Sequence, residues 1–316
     1  MASCRVHSRT VTGKNATFMK KNAEARAKEA AQSSRGYQSM ALQKHRWVPV
    51  RLKERKEVSK YVRSYTFTLP DSKKALGLAT CQHVQLGFPL KDRMLIRSYT
   101  PTRPVLESEE DGTFELVVKT CFPNDDPPGG ALSNNCMGLN EETEVRGPTG
   151  EIEYRGIGKF VIEGKGIYFS RVTLILGGSG ITPRYQLIAR ILKTRGVDTK
   201  IAVIDANKSE ADMLLRDGLR DFQEKHSEQF KIEPVLSHPS DEWEGKKGYV
   251  KAELMRKVGF EPQEGSMELL CGPPAMSQKA PLQALKDWGL RKRRTVLGST
   301  IKPNGHDRRF PRPSGA

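Results

Sequence analysis

Leu176-Gly177-Gly178-Ser179-Gly180-Ile181-Thr182-Pro183 decides how the second half of this chain must be read. It follows Val172–Leu176, a short, mostly apolar run of the kind found in parallel strands buried on both faces. It precedes Arg184–Arg195, where Leu187, Ile188, Ile191 and Leu192 fall on one helical face. A strand must therefore become a helix within a few residues. Gly177, Gly178 and Gly180 permit that tight turn and let backbone N–H groups approach a ligand. Thr182 suits the N-cap, and Pro183 the first turn, where no N–H is needed. The helix N-terminus then offers orphan donors and a positive dipole end, which suit a pyrophosphate. The spacing is not G-x-G-x-x-G, so an ordinary strand-to-helix turn is the plainer alternative.

Downstream, the same grammar continues. Ile201–Ile204 reads as a second strand, and Ser209 opens a helix with Asp212 as its capping-box acid. Lys231–Leu236 and Met267–Leu270 read as later strands, with helices near Val250–Lys257 and Ala275–Trp288. This alternation predicts a parallel, doubly wound domain. Its last strand runs into Cys271-Gly272-Pro273-Pro274. Ligands of open parallel sheets bind beyond the strands' carboxyl ends, so this turn should share a crevice with Gly178 and Gly180. A neutral thiol there suits packing beside a nicotinamide ring; a rigid Pro-Pro turn with an incidental Cys is the alternative.

Upstream the period changes to two. Val48, Val50 and Leu52 alternate after Trp47, as do Tyr65–Leu69. Further β-like runs are His83–Phe88, Leu95–Thr100 and Phe114–Cys121, separated by Pro, Gly, Asp and Ser clusters. Short strands at this spacing predict an antiparallel barrel or sandwich. Glu107-Ser108-Glu109-Glu110-Asp111-Gly112 reads as a solvated acidic turn. Arg97 and Tyr99 project from one face of a strand. A guanidinium beside an aromatic ring suits a phosphate with a stacked or hydrogen-bonded ring system; a surface Arg covering a Tyr is the alternative. Lys119 adds a second cation, and Gly129-Gly130-Ala131-Leu132-Ser133 opens a short helix as a further phosphate cradle.

The bulk properties agree. A chain of 316 residues suits two domains. The net charge of +16 suggests nucleic acid until it is located: residues 1–45 carry +7, residues 290–316 another +7, and the body between them about +2. The basicity belongs to the two ends, which read as solvated tails. Five cysteines, at 4, 81, 121, 136 and 271, form no C-x-x-C and no zinc or iron–sulfur spacing, so no metal is expected. Thinly scattered single cysteines point to a reducing compartment. No apolar run approaches the roughly 20 residues that span a bilayer, which leaves only peripheral membrane contact. The early Lys and Arg residues resemble a mitochondrial transit peptide in composition but form no clear amphipathic face. A cytoplasmic location is therefore expected, with a mitochondrial one as the alternative.

Taken together and in order, the segments resemble a known family. Arg97-Ser98-Tyr99-Thr100-Pro101-Thr102, Val117-Val118-Lys119, Gly129–Ser133, Arg146-Gly147-Pro148-Thr149-Gly150, Gly177–Pro183 and Cys271–Met276 are similar to those of the ferredoxin–NADP reductase superfamily. The likeness is greatest to NADH–cytochrome b5 reductases and the flavin–NADH module of eukaryotic nitrate reductases. The resemblance implies an antiparallel FAD-binding barrel followed by a parallel doubly wound NAD(P)H-binding domain. The corresponding boundaries are a disordered basic extension over residues 1–45, the barrel over 46–158, the nucleotide domain over 159–289 and a basic tail over 290–316. It implies FAD contacts at Arg97, Ser98, Tyr99, Thr100, Val117, Lys119, Phe122, Gly130, Leu132, Ser133 and Thr182. It implies NAD contacts at Gly178, Gly180, Asp212, Cys271, Gly272, Pro273 and Met276, with Thr100 and Cys271 near the hydride path. A carboxylate at Asp212, beside the adenosine ribose, repels a 2′-phosphate, so NADH is expected over NADPH.

The activity implied is hydride transfer from NADH to flavin, then single electrons to a haem protein such as cytochrome b5. The alternatives are the reductase fragment of a nitrate reductase, and a non-catalytic flavin fold whose basic ends bind nucleic acid or membrane. The chain departs from the family pattern at Arg103, Cys121, Ala131 and Arg184, the last standing where Met or Val is usual. Leu290–Ala316 also differs from the aromatic-ended strand with which the family closes.

Overall fold

The computed structural model describes residues 3–8, 40–90, 93–119, 139–273 and 296–298. The first strand, β1 (Ser3–Ser8), belongs to the second domain's sheet. Next come β2 (Val48–Ser59), β3 (Val62–Thr68), β4 (His83–Leu90), β5 (Arg93–Tyr99), β6 (Thr113–Lys119) and β7 (Glu142–Thr149). They form a six-stranded antiparallel sheet in the order β5-β4-β7-β2-β3-β6. Past β5 the chain pairs with β6: the Thr102 N–H donates to the Glu115 carbonyl at 2.8 Å, and the Glu115 N–H to that of Arg103 at 2.9 Å. The sheet thereby closes on itself as a barrel. The period-two residues fill it, with Val50, Leu52, Tyr65, Phe67, Leu86, Phe114, Leu116 and Val145 all buried. Phe67 and Phe114 face each other in register and stack at 5.2 Å.

A three-stranded meander of β8 (Ile152–Tyr154), β9 (Lys159–Ile162) and β10 (Lys165–Tyr168) follows. It buries Phe160 against Phe169 in the second domain's core while Tyr154 bridges back to Thr80 of the first. The second domain consists of β11 (Arg171–Gly177), α1 (Thr182–Lys193), β12 (Lys200–Asn207), α2 (Arg216–Lys225), β13 (Phe230–Leu236), β14 (Lys246–Lys247), α3 (Ala252–Val258), β15 (Ser266–Gly272) and β16 (Val296–Gly298). Its sheet runs β14-β13-β12-β11-β15-β1-β16, with β14 through β15 parallel and β1 antiparallel to both its neighbours. Every residue of β15 is buried, as a strand covered on both faces requires.

Several expectations need correction. Residues 1–45 are not disordered throughout: Ser3–Ser8 form β1, and Ala41 and Leu42 are buried in the barrel's core. The atypical tail likewise supplies β16. The outer edge of β15 offers a row of backbone donors and acceptors, and a strand can satisfy them without an apolar pattern of its own. The helix expected near Ala275–Trp288 lies outside the described residues. Thr182 does not cap α1. The glycine turn is a 3-10 turn over Gly178–Ile181 that runs directly into the helix, and the Thr182 hydroxyl donates back to the Ser179 carbonyl at 3.0 Å. Pro183 does occupy the first turn. Ser209 and Asp212 form the expected capping box, on a 3-10 turn over Glu210–Asp212 that stops short of α2.

Candidate functional site

The carboxyl end of the parallel sheet faces the barrel, and α1 lies between them. Thr182, Arg184, Gln186, Leu187, Ile188, Ala189, Ile191 and Leu192 of α1 are all buried, a wider face than a helix packed on one sheet would bury. Its Leu187, Ile188, Ile191 and Leu192 join one apolar cluster with Val172, Leu174 and Leu176 of β11 and Ile201 and Val203 of β12. The Cys81 N–H donates to Gln186 Oε1 at 3.2 Å, and Val62, Cys81 and Val117 of the barrel join the nucleotide domain's apolar cluster. At the far end of α1, Lys193 pairs with Glu109 at 2.7 Å, and Glu109 also accepts the Val105 N–H at 2.8 Å. Burial pushes the Glu109 carboxyl up, but the Lys193 and backbone hydrogen bonds outweigh it and hold it below the usual range. The acidic turn is thus a domain contact and not merely a solvated loop. Arg103 is absorbed locally, donating to Asp111 at 2.9 Å and to Thr113 at 2.6 Å.

The glycine turn provides the cradle. An added Cβ on Gly178, at φ +50°, would meet nothing within 4 Å, so open space borders the backbone there. On Gly180 it would lie 2.2 Å from the Cys271 carbonyl oxygen, which shows how closely this turn packs on the end of β15. Parallel register sets Cys271, Leu176 and Asp205 in one row across β15, β11 and β12. Cys271 is buried, and Pro273 just beyond β15 is exposed. These features fit a dinucleotide: backbone donors, an open glycine shelf and a buried thiol at one end of the strands.

On the barrel side, Arg97, Ser98 and Tyr99 are half-buried on β5 and Thr100 is buried beyond it. Arg97 and Tyr99 pair with Leu86 and Val84 and so share a face, as their spacing predicts. Val117 is buried on β6. This donor set, an Arg and an aromatic on one face with a hydroxyl at its end, fits a flavin nucleotide. Phe122, Gly130, Leu132, Ser133 and Met276 lie outside the described residues, as do Cys121 and Ala131.

Lys119 and Asp212 are expected in different halves, yet the structure joins them. Lys119 Nζ lies 2.5 Å from Asp212 Oδ1, and Ser209 Oγ donates to Asp212 Oδ2 at 2.7 Å. Burial raises the Asp212 carboxyl, but the bonds from Lys119 and Ser209 outweigh it and hold it below the usual range. The Asp is therefore an anion at neutral pH, which suits ribose hydroxyls and opposes a phosphate.

Sequence reasoning assigned no role to three further residues here. Asp205 is 1% exposed and Asn207 8%, joined by an Asn207 Nδ2 to Asp205 Oδ2 bond of 3.0 Å. Asp205 Oδ1 and Asn207 Oδ1 have no hydrogen-bond partner among the described residues, and burial pushes the Asp205 carboxyl up to about 7. Two polar residues interrupting the apolar run Ile201–Asn207 were the available signal. His83 opens β4, where burial lowers its imidazole and the Arg184 charge lowers it further. Among the described residues no group of His, Cys, Asp and Glu could hold a metal.

Comparison with known proteins agrees with this geometry. Residues 49–154 match the oxidoreductase FAD-binding domain, and residues 174–281 the oxidoreductase NAD-binding domain. The chain is 36% identical over 257 residues to an NADH nitrate reductase of Nicotiana tabacum, covering 79% of this chain and 28% of that protein. It is 32% identical to an NADPH nitrate reductase of Aspergillus niger, covering 84% of this chain and 30% of that protein. The chain thus spans less than a third of the length of these curated relatives. Among solved structures, the cytochrome b5 reductase domain of Ulva prolifera nitrate reductase superposes with a TM-score of 0.76 at 29% identity, covering 80% of this chain and 97% of that one.

Proposed function

Because this chain belongs to the oxidoreductases that join an FAD-binding to an NAD-binding domain, homologous to the cytochrome b5 reductase domain of nitrate reductases, we propose that it oxidises NADH and passes electrons singly to a haem-protein acceptor. The observation that carries this reading is the 2.5 Å contact between Lys119 and Asp212, which makes one crevice of the two halves. FAD, when bound, supplies the chemistry of accepting a hydride and releasing electrons one at a time. The chain's residues bind and orient. Arg97 supplies a fixed cation for a phosphate, with Tyr99 and Thr100 along the ring. The Gly178–Ile181 turn and the first turn of α1 hold the dinucleotide's pyrophosphate with backbone donors. Cys271, buried and held against Gly180, walls the nicotinamide end and excludes water. Asp212 accepts from the adenosine ribose, and its negative charge favours NADH over NADPH.

The test is a spectrum and an assay. The purified chain, supplied with FAD, should show a flavin spectrum that NADH bleaches, and should reduce ferricyanide faster with NADH than with NADPH. A protein that stays colourless and inactive, yet binds nucleic acid in a strongly salt-dependent way, would overturn the proposal. A second reading, the reductase portion of a nitrate reductase, is favoured by the names of the curated relatives. It requires that electrons reach nitrate when the remaining portion is supplied.

A further inference from the structure

Cys4 stands opposite Cys271 in the pairing of β1 with β15. The pairs from Ser3↔Gly272 to Ser8↔Met267 run without a register shift, so the two cysteines face each other in a continuous ladder and not at a bulge. Opposed residues of antiparallel strands have Cα atoms about 4.5 or 5.5 Å apart, according to their hydrogen-bonding position. Disulfides are made at Cα separations of about 4.4–6.8 Å, so either position admits one. The place matters for the crevice. On its other side Cys271 pairs with Leu176, and its carbonyl oxygen would lie 2.2 Å from a Cβ on Gly180, so the glycine turn rests on it. A shift of Cys271 is therefore felt by the turn that cradles the dinucleotide.

We propose that Cys4 and Cys271 form a reversible disulfide through which an oxidant switches off the nicotinamide end of the crevice. The oxidant is a small disulfide of the glutathione class. Its S–S bond breaks and one forms between Cys4 and Cys271; the two protein thiols are oxidised, and their two protons and two electrons leave on two molecules of small thiol. Opposed Cβ atoms start about 4.5–5.5 Å apart and a disulfide holds them at about 3.5–4.5 Å, so bonding draws the end of β15 about 1 Å toward β1. Misplacement on that scale costs up to about a hundredfold in rate. Strain of this kind makes the bond easy to reduce, and both cysteines stay thiols in a reducing compartment. The effect on NADH rests on the function proposed above; the bond itself does not.

The experiment equilibrates the FAD-loaded full chain and its C4S variant with graded mixtures of reduced and oxidised glutathione. Thiols are then counted by alkylation in denaturant, and peptides are mapped without reduction. The parent should lose two of its five thiols, become lighter by two hydrogen atoms and yield a peptide pair joining Cys4 to Cys271. Reduction of its flavin by NADH should slow about tenfold or more in step with that loss, and dithiothreitol should restore it. C4S should match the reduced parent in every mixture. No link in the parent, glutathione adducts in its place, a link from Cys271 to Cys81, or equal inactivation of C4S would overturn the inference. So would a linked parent that NADH reduces at the original rate. A parent that never retains FAD refutes the proposed function instead, while the thiol count and peptide map still decide the bond.

Discussion

Replacing Asp205 with Asn separates the cost of a buried charge from everything else at the end of β12. Asp205 Oδ2 accepts a hydrogen bond from Asn207 at 3.0 Å, and its Oδ1 has no hydrogen-bond partner among the described residues. Burial pushes its pKa to about 7, from an ordinary 3.8 that the unfolded chain retains. Between those values the folded protein holds a proton that the unfolded chain has released. Stability therefore falls as pH rises, by about 1.4 kcal/mol per pH unit for one proton, and levels off above the folded pKa. Across roughly three units the penalty is on the order of 4 kcal/mol. D205N carries no charge in either state and keeps the side chain's shape. It should be more stable than the parent near about pH 8, and that advantage should shrink by about 3 kcal/mol on going to about pH 5. Urea unfolding at the two pH values, followed by circular dichroism, measures both gaps. An advantage equal at both, or a variant less stable than the parent at the higher pH, refutes the reasoning.

Two further substitutions probe the crevice. D212S removes the carboxylate and leaves Lys119, 2.5 Å away in the parent, to face a 2′-phosphate. The NADPH-to-NADH ratio of kcat/KM should rise about tenfold or more, equivalent to about 1.4 kcal/mol, and steady-state assays with both nucleotides that show no change would count against Asp212 at the ribose. G180A forces a methyl group to within 2.2 Å of the Cys271 carbonyl oxygen, a backbone atom that cannot rotate away. A loss of about 1–3 kcal/mol is expected, with weaker NADH binding; a parental Tm and KM would show that the turn is not packed as described.

Much of this architecture is legible in the residues because its elements are locally periodic. Period two marks the strands around Val50 and Phe67, and the run Val172–Leu176 before three glycines marks the nucleotide turn. The contacts that join the domains leave no such trace. Lys119 and Asp212 are 93 residues apart, and Cys81 and Gln186 are 105 apart. Each pair depends on where two folded surfaces meet. Ser3–Ser8 was invisible for a different reason: β1 is held by backbone pairing to β15, which carries no side-chain period. The acidic turn looked solvated because charge alone does not reveal that Lys193 faces it. Asp205 and Asn207 stand out as polar letters in an apolar strand, but only the fold shows that Asp205 shares a row with Leu176 and Cys271.

Helix α1 has a consequence for how this molecule can be recombined. It is wrapped by the sheet on one side and by the barrel on the other, and both its ends grip the barrel, through Gln186 near the first turn and Lys193 at the last. A chimera cut at the meander between the domains would transplant the helix without the surface it was shaped against. A graft that is to keep its angle, and hence electron transfer, must carry the segments around Cys81 and Val105–Glu109 along with the nucleotide domain, although both lie far upstream of the cut.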